Sequence, residues 1–245
     1  MLATQADMDS IDAYYRTVAP FYAAEMRSRD DLADWKALAR RLDAKRILDL
    51  GCGSGRIALG LLEDDPSREV VGLDISTALL DDLAPPFTFV HADMRDIPID
   101  AEFDLIVAAN DPFAHLLEDR DRAAAVASAR GHLVREGLLV IDGLYIPPQA
   151  DAVASGADGL VRERHLDDGT VVRELWRAAG AHRYETTYTY QRDGAQLACA
   201  GAQVRAWHCG EPALRESGAR IAGAFDERDF DPWGDRIVAL IPARS

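Results

Sequence analysis

The chain has 245 residues, enough for one sizeable α/β core with an elaboration, so we expect a single structural domain. Hydrophobic residues make up 48% of the chain and charged residues 28%, as in a globular protein, which excludes a largely disordered or low-complexity chain. The formal net charge of −15 disfavours nucleic acid and acidic membranes as partners and suits a neutral or cationic small substrate, although a role in solubility alone explains it as well.

The beginning of the chain predicts two helices and no targeting segment. Residues 1–7 lack the basic start and apolar run of a secretory signal, and no stretch reaches the about 18 apolar residues that span a bilayer. From residue 11 to 26, apolar and aromatic residues recur at helical spacing behind Ser10, a suitable N-cap, and residues 32–42 repeat the pattern. We therefore expect a cytoplasmic protein in which residues 1–44 form a helical lid.

The middle of the chain alternates short apolar runs with helical stretches, which is typical of βαβ units and a parallel sheet. The sequence predicts five successive strands at residues 46–50, 70–73, 87–91, 103–108 and 138–142. The intervening helices are predicted at residues 56–62, 76–83 and 120–133. A closing strand pair completes a doubly wound, mostly parallel, seven-stranded Rossmann-like sheet, and is predicted at residues 220–225 and 236–241.

The rhythm changes after Pro147-Pro148, because turn signals replace helices between the strand-like runs. Asp168-Gly169 and Asp193-Gly194 are typical hairpin turns. Antiparallel strands around them are predicted at residues 161–166, 171–178, 184–191 and 197–207. We expect residues 151–207 to be an inserted substrate-binding lid, within an α/β core made of residues 45–150 and 208–245 that also holds a short helix at residues 211–217.

The most informative segment, residues 47–56, runs from a strand through the turn Gly51-Cys52-Gly53-Ser54-Gly55 into a helix. Its three glycines remove every Cβ that would keep a ligand from the backbone, and they allow positive φ. A ligand would lie at the carboxyl end of the first strand, where doubly wound sheets bind nucleotides. The phosphate loop of nucleoside triphosphatases is excluded because no Gly-Lys-Ser/Thr follows, and the dinucleotide fingerprint needs its third glycine one residue later.

Two acids follow the next two strands. A carboxylate at Asp74 can accept hydrogen bonds from both ribose hydroxyls of a nucleoside, or it can cap a helix. Asp93 follows the third strand, and its alternative reading is a solvated loop acid. The glycine loop, the preceding Asp49 and both acids in this order resemble the class I S-adenosylmethionine-dependent methyltransferases, over about residues 45–142.

The resemblance implies S-adenosylmethionine as the cofactor. In that family the acid corresponding to Asp93 binds the adenine amino group, and Met94 lies near the ring. The aromatic residues of the first helix, Tyr14, Tyr15, Phe21 and Tyr22, would form a lid over the cofactor, although a stripe at helical spacing also suits plain packing. The expected cofactor-binding residues are Asp49, Gly51, Cys52, Gly53, Gly55, Arg56, Asp74, Ile75, Asp93, Met94, Asn110 and Tyr22.

The residues after the fourth strand narrow the resemblance. Asn110-Asp111-Pro112-Phe113-Ala114-His115-Leu116 looks like the glycine N-methyltransferase group and is similar to small sugar-amine N-methyltransferases. In the glycine group an arginine shortly after the fifth strand grips the substrate carboxylate, whereas here Asp142 is followed by Gly143-Leu144-Tyr145-Ile146. Glycine is therefore disfavoured as the acceptor. Arg162, Arg164 or Arg173 could replace the missing arginine, although surface strand charges explain them as well.

Methyl transfer from a sulfonium needs mainly alignment of nucleophile, methyl carbon and sulfur, because the cofactor brings its own activation. His115 is the side chain expected to orient the nucleophile or take its proton, since histidine titrates near neutrality; a histidine satisfied by backbone is the alternative. Tyr14 and Asn110 are the other catalytic candidates. Tyr184, Tyr188 and Tyr190 share one face of a strand by alternation and could roof the pocket or bury themselves.

The sequence thus predicts a methyltransferase that acts on a nitrogen, or else an oxygen, of a small metabolite. Two other classes stay open: a nicotinamide-dependent oxidoreductase, and a non-catalytic protein that binds S-adenosylmethionine. Methylation of a protein also stays open, whereas the net charge disfavours methylation of RNA. Neither nucleic acid nor membrane is an expected partner, and a homo-oligomer is compatible with the sequence. Cysteines 52, 199 and 209 are widely spaced without a Cys-x-x-Cys pair, so neither a disulfide framework nor a metal site is predicted.

Overall fold

The computed structural model describes residues 5–27, 31–80, 85–208, 210–222 and 236–243. The first described helices are α1, Gln5–Arg27, and α2, Leu32–Arg41. Both confirm the predicted N-terminal helices, and α1 begins before its aromatic stripe. Helix α2 buries Trp35, Leu38 and Ala39, because its apolar residues fall on one stripe that faces the core.

Numbered along the chain, the described strands are β1 Arg46–Leu50, β2 Glu69–Asp74, β3 Thr88–His91, β4 Phe103–Ala108, β5 Leu133–Leu144, β6 Leu160–His165, β7 Val171–Gly180, β8 Arg183–Arg192, β9 Ala195–Arg205, β10 Arg220–Ala222 and β11 Arg236–Pro242. Seven of them form the main sheet of the described residues, in the order β10-β11-β5-β4-β1-β2-β3. Strands β1 to β5 pair in parallel, whereas β11 is antiparallel to both β5 and β10. The predicted doubly wound, mostly parallel sheet is confirmed.

The sheet has helices on both faces. Helix α3, Arg56–Asp64, packs with α2 on one face, where Trp35 and Leu61 share a buried cluster with Ile47 of β1. Helices α4, Asp119–Gly131, and α6, Pro212–Glu216, lie on the other face, where Val126 and Leu214 are buried in the same way. Two elements were not predicted from the sequence: a 3₁₀ turn, Pro112–His115, and the short helix α5, Pro148–Ala154.

Two predicted elements need correction. Residues 76–80 form irregular backbone followed by a turn instead of a helix, because the Asp74 and Ser76 side chains accept the backbone N–H groups of Ser76 and Ala78. The rest of that predicted helix, residues 81–83, lies outside the described residues. Helix α4 ends at Gly131, and β5 already begins at Leu133, ahead of the predicted start at residue 138. Strand β10 is described only to Ala222, so residues 223–225 of its prediction also lie outside the described part.

The insertion is a separate four-stranded antiparallel sheet in the order β6-β7-β8-β9. Its turns at Asp168-Gly169 and Asp193-Gly194 are the predicted ones, and positive φ at Gly169, Asp193 and Gly194 explains why these residue types stand there. Helix α1 packs against β9. The inserted sheet therefore faces the same end of the molecule as the N-terminal helix.

Candidate active site

A cavity of about 790 Å³ opens at the carboxyl ends of the central parallel strands. Helix α1 contributes one wall, and β8 and β9 of the inserted sheet face it from the other side. The sequence-predicted residues that line it are Tyr14, Tyr22, Gly51, Gly53, Asp74, Ile75, Asp93, Met94, Asn110 and His115. Residues from five separate predicted segments are thus brought to one place.

The glycine turn after β1 has the predicted left-handed backbone, with φ of 67° at Gly51 and 52° at Gly53. A Cβ at residue 51 would lie 2.2 Å from Pro112 Cβ, so only glycine lets the segment after β4 approach this turn. The backbone N–H of Gly53 donates to Asp74 over 2.8 Å. This hydrogen bond fixes the backbone at Gly53 relative to Asp74.

Asp74 holds the end of β2 against the glycine turn. Its carboxylate accepts the backbone N–H groups of Gly53 at 2.8 Å and Ser76 at 2.9 Å, while burial raises its pKa from the ordinary aspartate value. A carboxylate has about four acceptor sites, so Asp74 keeps acceptor capacity beyond its backbone contacts. Asp74 lines the cavity and can therefore still accept a hydrogen bond from a ribose hydroxyl.

Asp93 is differently employed. The Arg95 side chain donates to both of its oxygens, at 3.0, 3.0 and 2.6 Å, and the Arg95 backbone N–H adds a further contact at 2.9 Å. Arg95 also pairs with Asp121 at 3.1 Å, and all three residues line the cavity. Because Arg95 occupies most of the acceptor capacity of Asp93, binding of an adenine amino group would require part of this pairing to loosen.

Four residues of the predicted cofactor set do not line the cavity. Asp49 is 2% exposed beneath the glycine turn and accepts the backbone N–H of Ala58 in α3 at 3.2 Å. Burial raises the pKa of Asp49 to about 7. Asp49 therefore stabilises the start of α3 from behind the cavity.

The other three are Cys52, Gly55 and Arg56. Cys52 is buried, and its Sγ atom lies so close to Gly72 that a Cβ there would meet it at 2.8 Å. Gly55, with φ of 75°, closely approaches the ring of Phe87. The Arg56 side chain points to α2, where its nitrogen atoms donate to Asp31 at 2.7 and 3.0 Å. These three residues thus contact the sheet, the Phe87 ring or the start of α2 instead of the cavity.

The segment after β4 turns sharply at Asn110 and Asp111, which both have positive φ, 59° and 50°. The side chain of Asp142 accepts the backbone N–H of Asn110 at 3.2 Å. Asp111 accepts the backbone N–H of Leu144 at 2.8 Å and the indole N–H of Trp207 at 3.0 Å. These contacts hold the unusual backbone in place and expose Asn110 at the cavity.

His115 ends the 3₁₀ turn and lines the cavity. Its Nε2 atom lies 3.3 Å from the Tyr15 hydroxyl, and its ring centroid lies 6.1 Å from that of Tyr14. Burial lowers the pKa of His115 to about 4, so the imidazole is neutral at pH 7. Sequence reasoning chose Tyr14 as the catalytic tyrosine and missed this contact of Tyr15, because spacing places both rings on one helix face without fixing their rotamers.

A buried ionic group fastens α1 to the inserted sheet. Arg164 of β6 donates to Glu25 of α1 at 2.6 Å and to Glu174 of β7 at 2.7 Å, and Tyr190 donates to Glu25 at 2.7 Å. Glu25 and Glu174 are each 7% exposed. Arg164 is thus committed to two carboxylates. This group is called the α1 latch below.

The tyrosine face of β8 is also used for packing. Tyr184 and Tyr190 are each 1% exposed, and Tyr184 donates to Asp151 of α5 at 2.5 Å. The Tyr188 ring meets that of Tyr14 edge-on, with centroids 6.1 Å apart. The predicted shared face therefore exists and packs under α1 and α5. The cavity itself meets β8 and β9 through Glu185, Thr186, Thr187, Gly201, Ala202 and Gln203.

Three comparisons with known proteins bear on this site. A family model described as a methyltransferase domain matches residues 47–137. The chain is 29% identical to the dTDP-3-amino-3,4,6-trideoxy-alpha-D-glucopyranose N,N-dimethyltransferase of Streptomyces venezuelae, over 76% of each protein. It is 34% identical to a tRNA1(Val) (adenine(37)-N6)-methyltransferase of Yersinia pestis, over 40% of this chain and 44% of that protein. In two further curated relatives, the chain spans only 46% and 41% of their lengths.

Among solved structures, the CcbJ methyltransferase from Streptomyces caelestis superposes with a TM-score of 0.74, at 21% identity, over 89% of this chain and 91% of that one. At this identity the likeness concerns the fold, which extends across the inserted sheet as well as the core. Within the described residues, no helix is long and apolar enough to cross a bilayer.

Proposed function

We propose that this chain, whose residues 47–137 match the model of a methyltransferase domain, is an enzyme that transfers a methyl group from S-adenosylmethionine to a nitrogen of a small molecule. The observation that carries this proposal is the neutral His115 in the same cavity as the glycine turn and Asp74. S-adenosylmethionine is the cofactor. When bound, it supplies an activated methyl group, and the protein's task is alignment.

The described residues fit that cofactor. Gly51 and Gly53 form a cradle of backbone at the cavity wall, packed closely by Pro112 and Tyr22, and Asp74 keeps acceptor capacity for a ribose hydroxyl. Ile75 and Met94 supply apolar contacts on the same wall. We assign the ribose to Asp74 and the adenine to the region of Met94 and Asp93, with Tyr22 near Gly53 closing the cradle.

His115 favours nitrogen over oxygen as the acceptor atom. A histidine of pKa about 4 is a weak base, so it cannot readily take the proton of a hydroxyl group. A neutral amine already carries a lone pair and needs only orientation before transfer. When the acceptor binds, its amine N–H would replace the Tyr15 hydroxyl as the donor to His115 Nε2 and thereby direct that lone pair into the cavity.

The acceptor side of the cavity is polar. Thr187 and Gln203 of the inserted sheet, with Glu185 and Glu118, line it at positions suited to hydrogen bonds with a hydroxylated or cationic molecule. An amino sugar has this chemistry, and the relative from Streptomyces venezuelae is named for such a substrate. The net charge of −15 supports a small acceptor over nucleic acid. Residues 1–44 and 151–207 would act as lids over the core.

The proposed location is the cytoplasm, where the free thiols of Cys52 and Cys199 would stay reduced.

The test is a panel of amino sugars, other amines, phenols and tRNA with methyl-labelled S-adenosylmethionine, using wild-type protein, His115→Ala and His165→Ala. His165 is an exposed histidine of β6 that does not line the cavity, so it is a matched control. We expect transfer to amines, a fall of about 10²-fold in His115→Ala from loss of orientation, and no change in His165→Ala. Transfer undiminished by His115→Ala would remove the histidine from the mechanism, and label in tRNA alone would overturn the small-molecule acceptor.

A further inference from the structure

Arg122 of α4 is one of the most deeply buried side chains among the described residues, with 0% exposure. A buried guanidinium is costly unless its donors are satisfied. Its nearest carboxylate, Glu211, is 3.5 Å away and also fully buried. Burial lowers the pKa of Arg122 only to about 10, so it stays charged at pH 7. The cation therefore needs other acceptors for its donors.

Most of those donors go to backbone carbonyls in two segments that face the cavity. Arg122 Nε donates to the carbonyl of Leu116 at 3.0 Å, and Nη2 lies 3.5 Å from the carbonyl of Phe113. Both carbonyls belong to the turn that carries His115. Nη2 also donates to the carbonyl of Arg205, by a short contact, and Nη1 donates to the carbonyl of Ala206 at 3.4 Å. Those two residues directly follow the stretch of β9 that lines the cavity.

Trp207 connects the same cation to the beginning of the turn. The guanidinium lies over its indole ring, 4.2 Å from the ring centroid, and the indole N–H donates to Asp111 at 3.0 Å. The backbone N–H of Trp207 donates to Leu144 at the end of β5 over 2.8 Å. Both ends of residues 111–116 are therefore tied to one buried charge.

From this arrangement we propose that Arg122 is a positioning residue for methyl transfer, which sets the place of His115 relative to the acceptor wall on β9. It touches neither cofactor nor acceptor, since it does not line the cavity. The inference rests on the proposed function of His115. It assigns to α4 the task of holding two cavity walls in register, and a displacement of about 1 Å at such a site can cost about 10²-fold in rate.

The experiment compares Arg122→Met, Arg122→Lys and Arg130→Met. Arg130 also lies on α4 and donates to backbone carbonyls, those of Pro242 and Ala243, so it controls for loss of an arginine from this helix. Three quantities are measured: the affinity for S-adenosylhomocysteine, kcat and KM for the amine acceptor, and the His115 ring resonances. The chain has six histidines, so His115→Gln assigns that signal.

We expect Arg122→Met to lower kcat by about 10–100-fold and to shift the His115 resonances, with S-adenosylhomocysteine affinity within about twofold of wild type. Arg122→Lys, which keeps the charge and fewer donors, should recover part of both effects, and Arg130→Met should show neither. Unshifted His115 resonances and unchanged kcat in a folded Arg122 variant would overturn the proposal. If Arg122→Met does not fold, the lysine variant decides by the same two readouts. If wild-type protein methylates no amine, the proposed function fails, and the resonances still decide whether Arg122 positions His115.

Discussion

Asp49 and Asp74 are two acids at one glycine turn, and the structure employs them differently. Asp49 is buried with the Ala58 backbone N–H as its hydrogen-bond donor, and Asp74 lies nearby and disfavours a second negative charge. The raised pKa of Asp49, about 7, follows from that burial. Asp49 therefore has a structural role, and its ionisation lowers the stability of the fold, whereas Asp74 faces the cavity.

The replacement Asp49→Asn tests this assignment. The folded-state pKa lies above the ordinary value of 3.8, so Asp49 contributes stability at low pH that is lost as the pH rises to about 7. Asparagine keeps the acceptor oxygen and does not titrate. Relative to wild type, the stability of the variant should increase as the pH rises from 4 to 7 and stay higher above pH 7. We expect a difference of at least about 1 kcal/mol in the free energy of unfolding, or about 2–4 °C in Tm. Thermal unfolding at pH 5 and pH 8 measures it, and an equal difference at both pH values contradicts it.

At the level of single residues, the sequence predicted which segments meet better than which side chains face the cavity. Gly51, Gly53, Asp74 and His115 converge as predicted, because glycine turns and strand-end acids of parallel strands share one edge of the sheet. Arg56 faces Asp31 instead, since the partner on α2 comes from a part of the chain that the motif does not include. Tyr15 contacts His115, which is 100 residues away in the chain, and Arg122 donates to backbone carbonyls. No local sequence pattern predicts either kind of contact.

Among the elements, helix α1 depends on the inserted sheet for its position over the cavity. The α1 latch places two buried carboxylates, Glu25 and Glu174, on one guanidinium. Phe21 adds a stacked contact with Tyr190, with ring centroids 4.2 Å apart. The sequence predicted that Phe21 lies on a helix and Tyr190 on a strand. It did not predict that they pair, because periodicity within each element does not say which helix packs against which strand.

Arg164→Met should weaken cofactor binding. It leaves Glu25 and Glu174 buried without their cation, so α1 should dock less firmly over the cradle that Tyr22 helps to form. We expect the Kd for S-adenosylhomocysteine to rise about tenfold, from a loss of about 1–2 kcal/mol. Arg162→Met is the matched control, since Arg162 lies on the same strand and does not line the cavity. Equal Kd values for the two variants would show that the latch does not support the cavity.

The absence of the predicted helix from residues 76–80 has a local cause. Apolar spacing there favours a helix, yet Asp74 and Ser76 capture the backbone N–H groups that would begin it. The same contacts point Asp74 at the glycine turn. A deviation from helical propensity thus coincides with the candidate cofactor site, where local rules often give way to function.

At the scale of the whole molecule, the central feature is a doubly wound sheet in which the ends of β1 and β2 form the proposed nucleoside site. Helix α1, which precedes these strands in the chain, and β9, which follows them, close this site. The fold class and the inserted sheet follow from patterns in the sequence, because strand periodicity and hairpin residues act locally, and the glycine turn in the same sequence supports the proposed cofactor. The closure by α1 and β9 does not follow from such patterns, because it depends on side-chain pairs between distant segments.

The most direct test of this claim is calorimetric titration of S-adenosylhomocysteine into wild-type protein and Asp74→Asn, with NADH as the competing ligand. We predict one site per chain for S-adenosylhomocysteine, a loss of about 10–100-fold in affinity in Asp74→Asn, and no heat with NADH. Binding of NADH in place of S-adenosylhomocysteine, or no binding of the latter, would contradict the account.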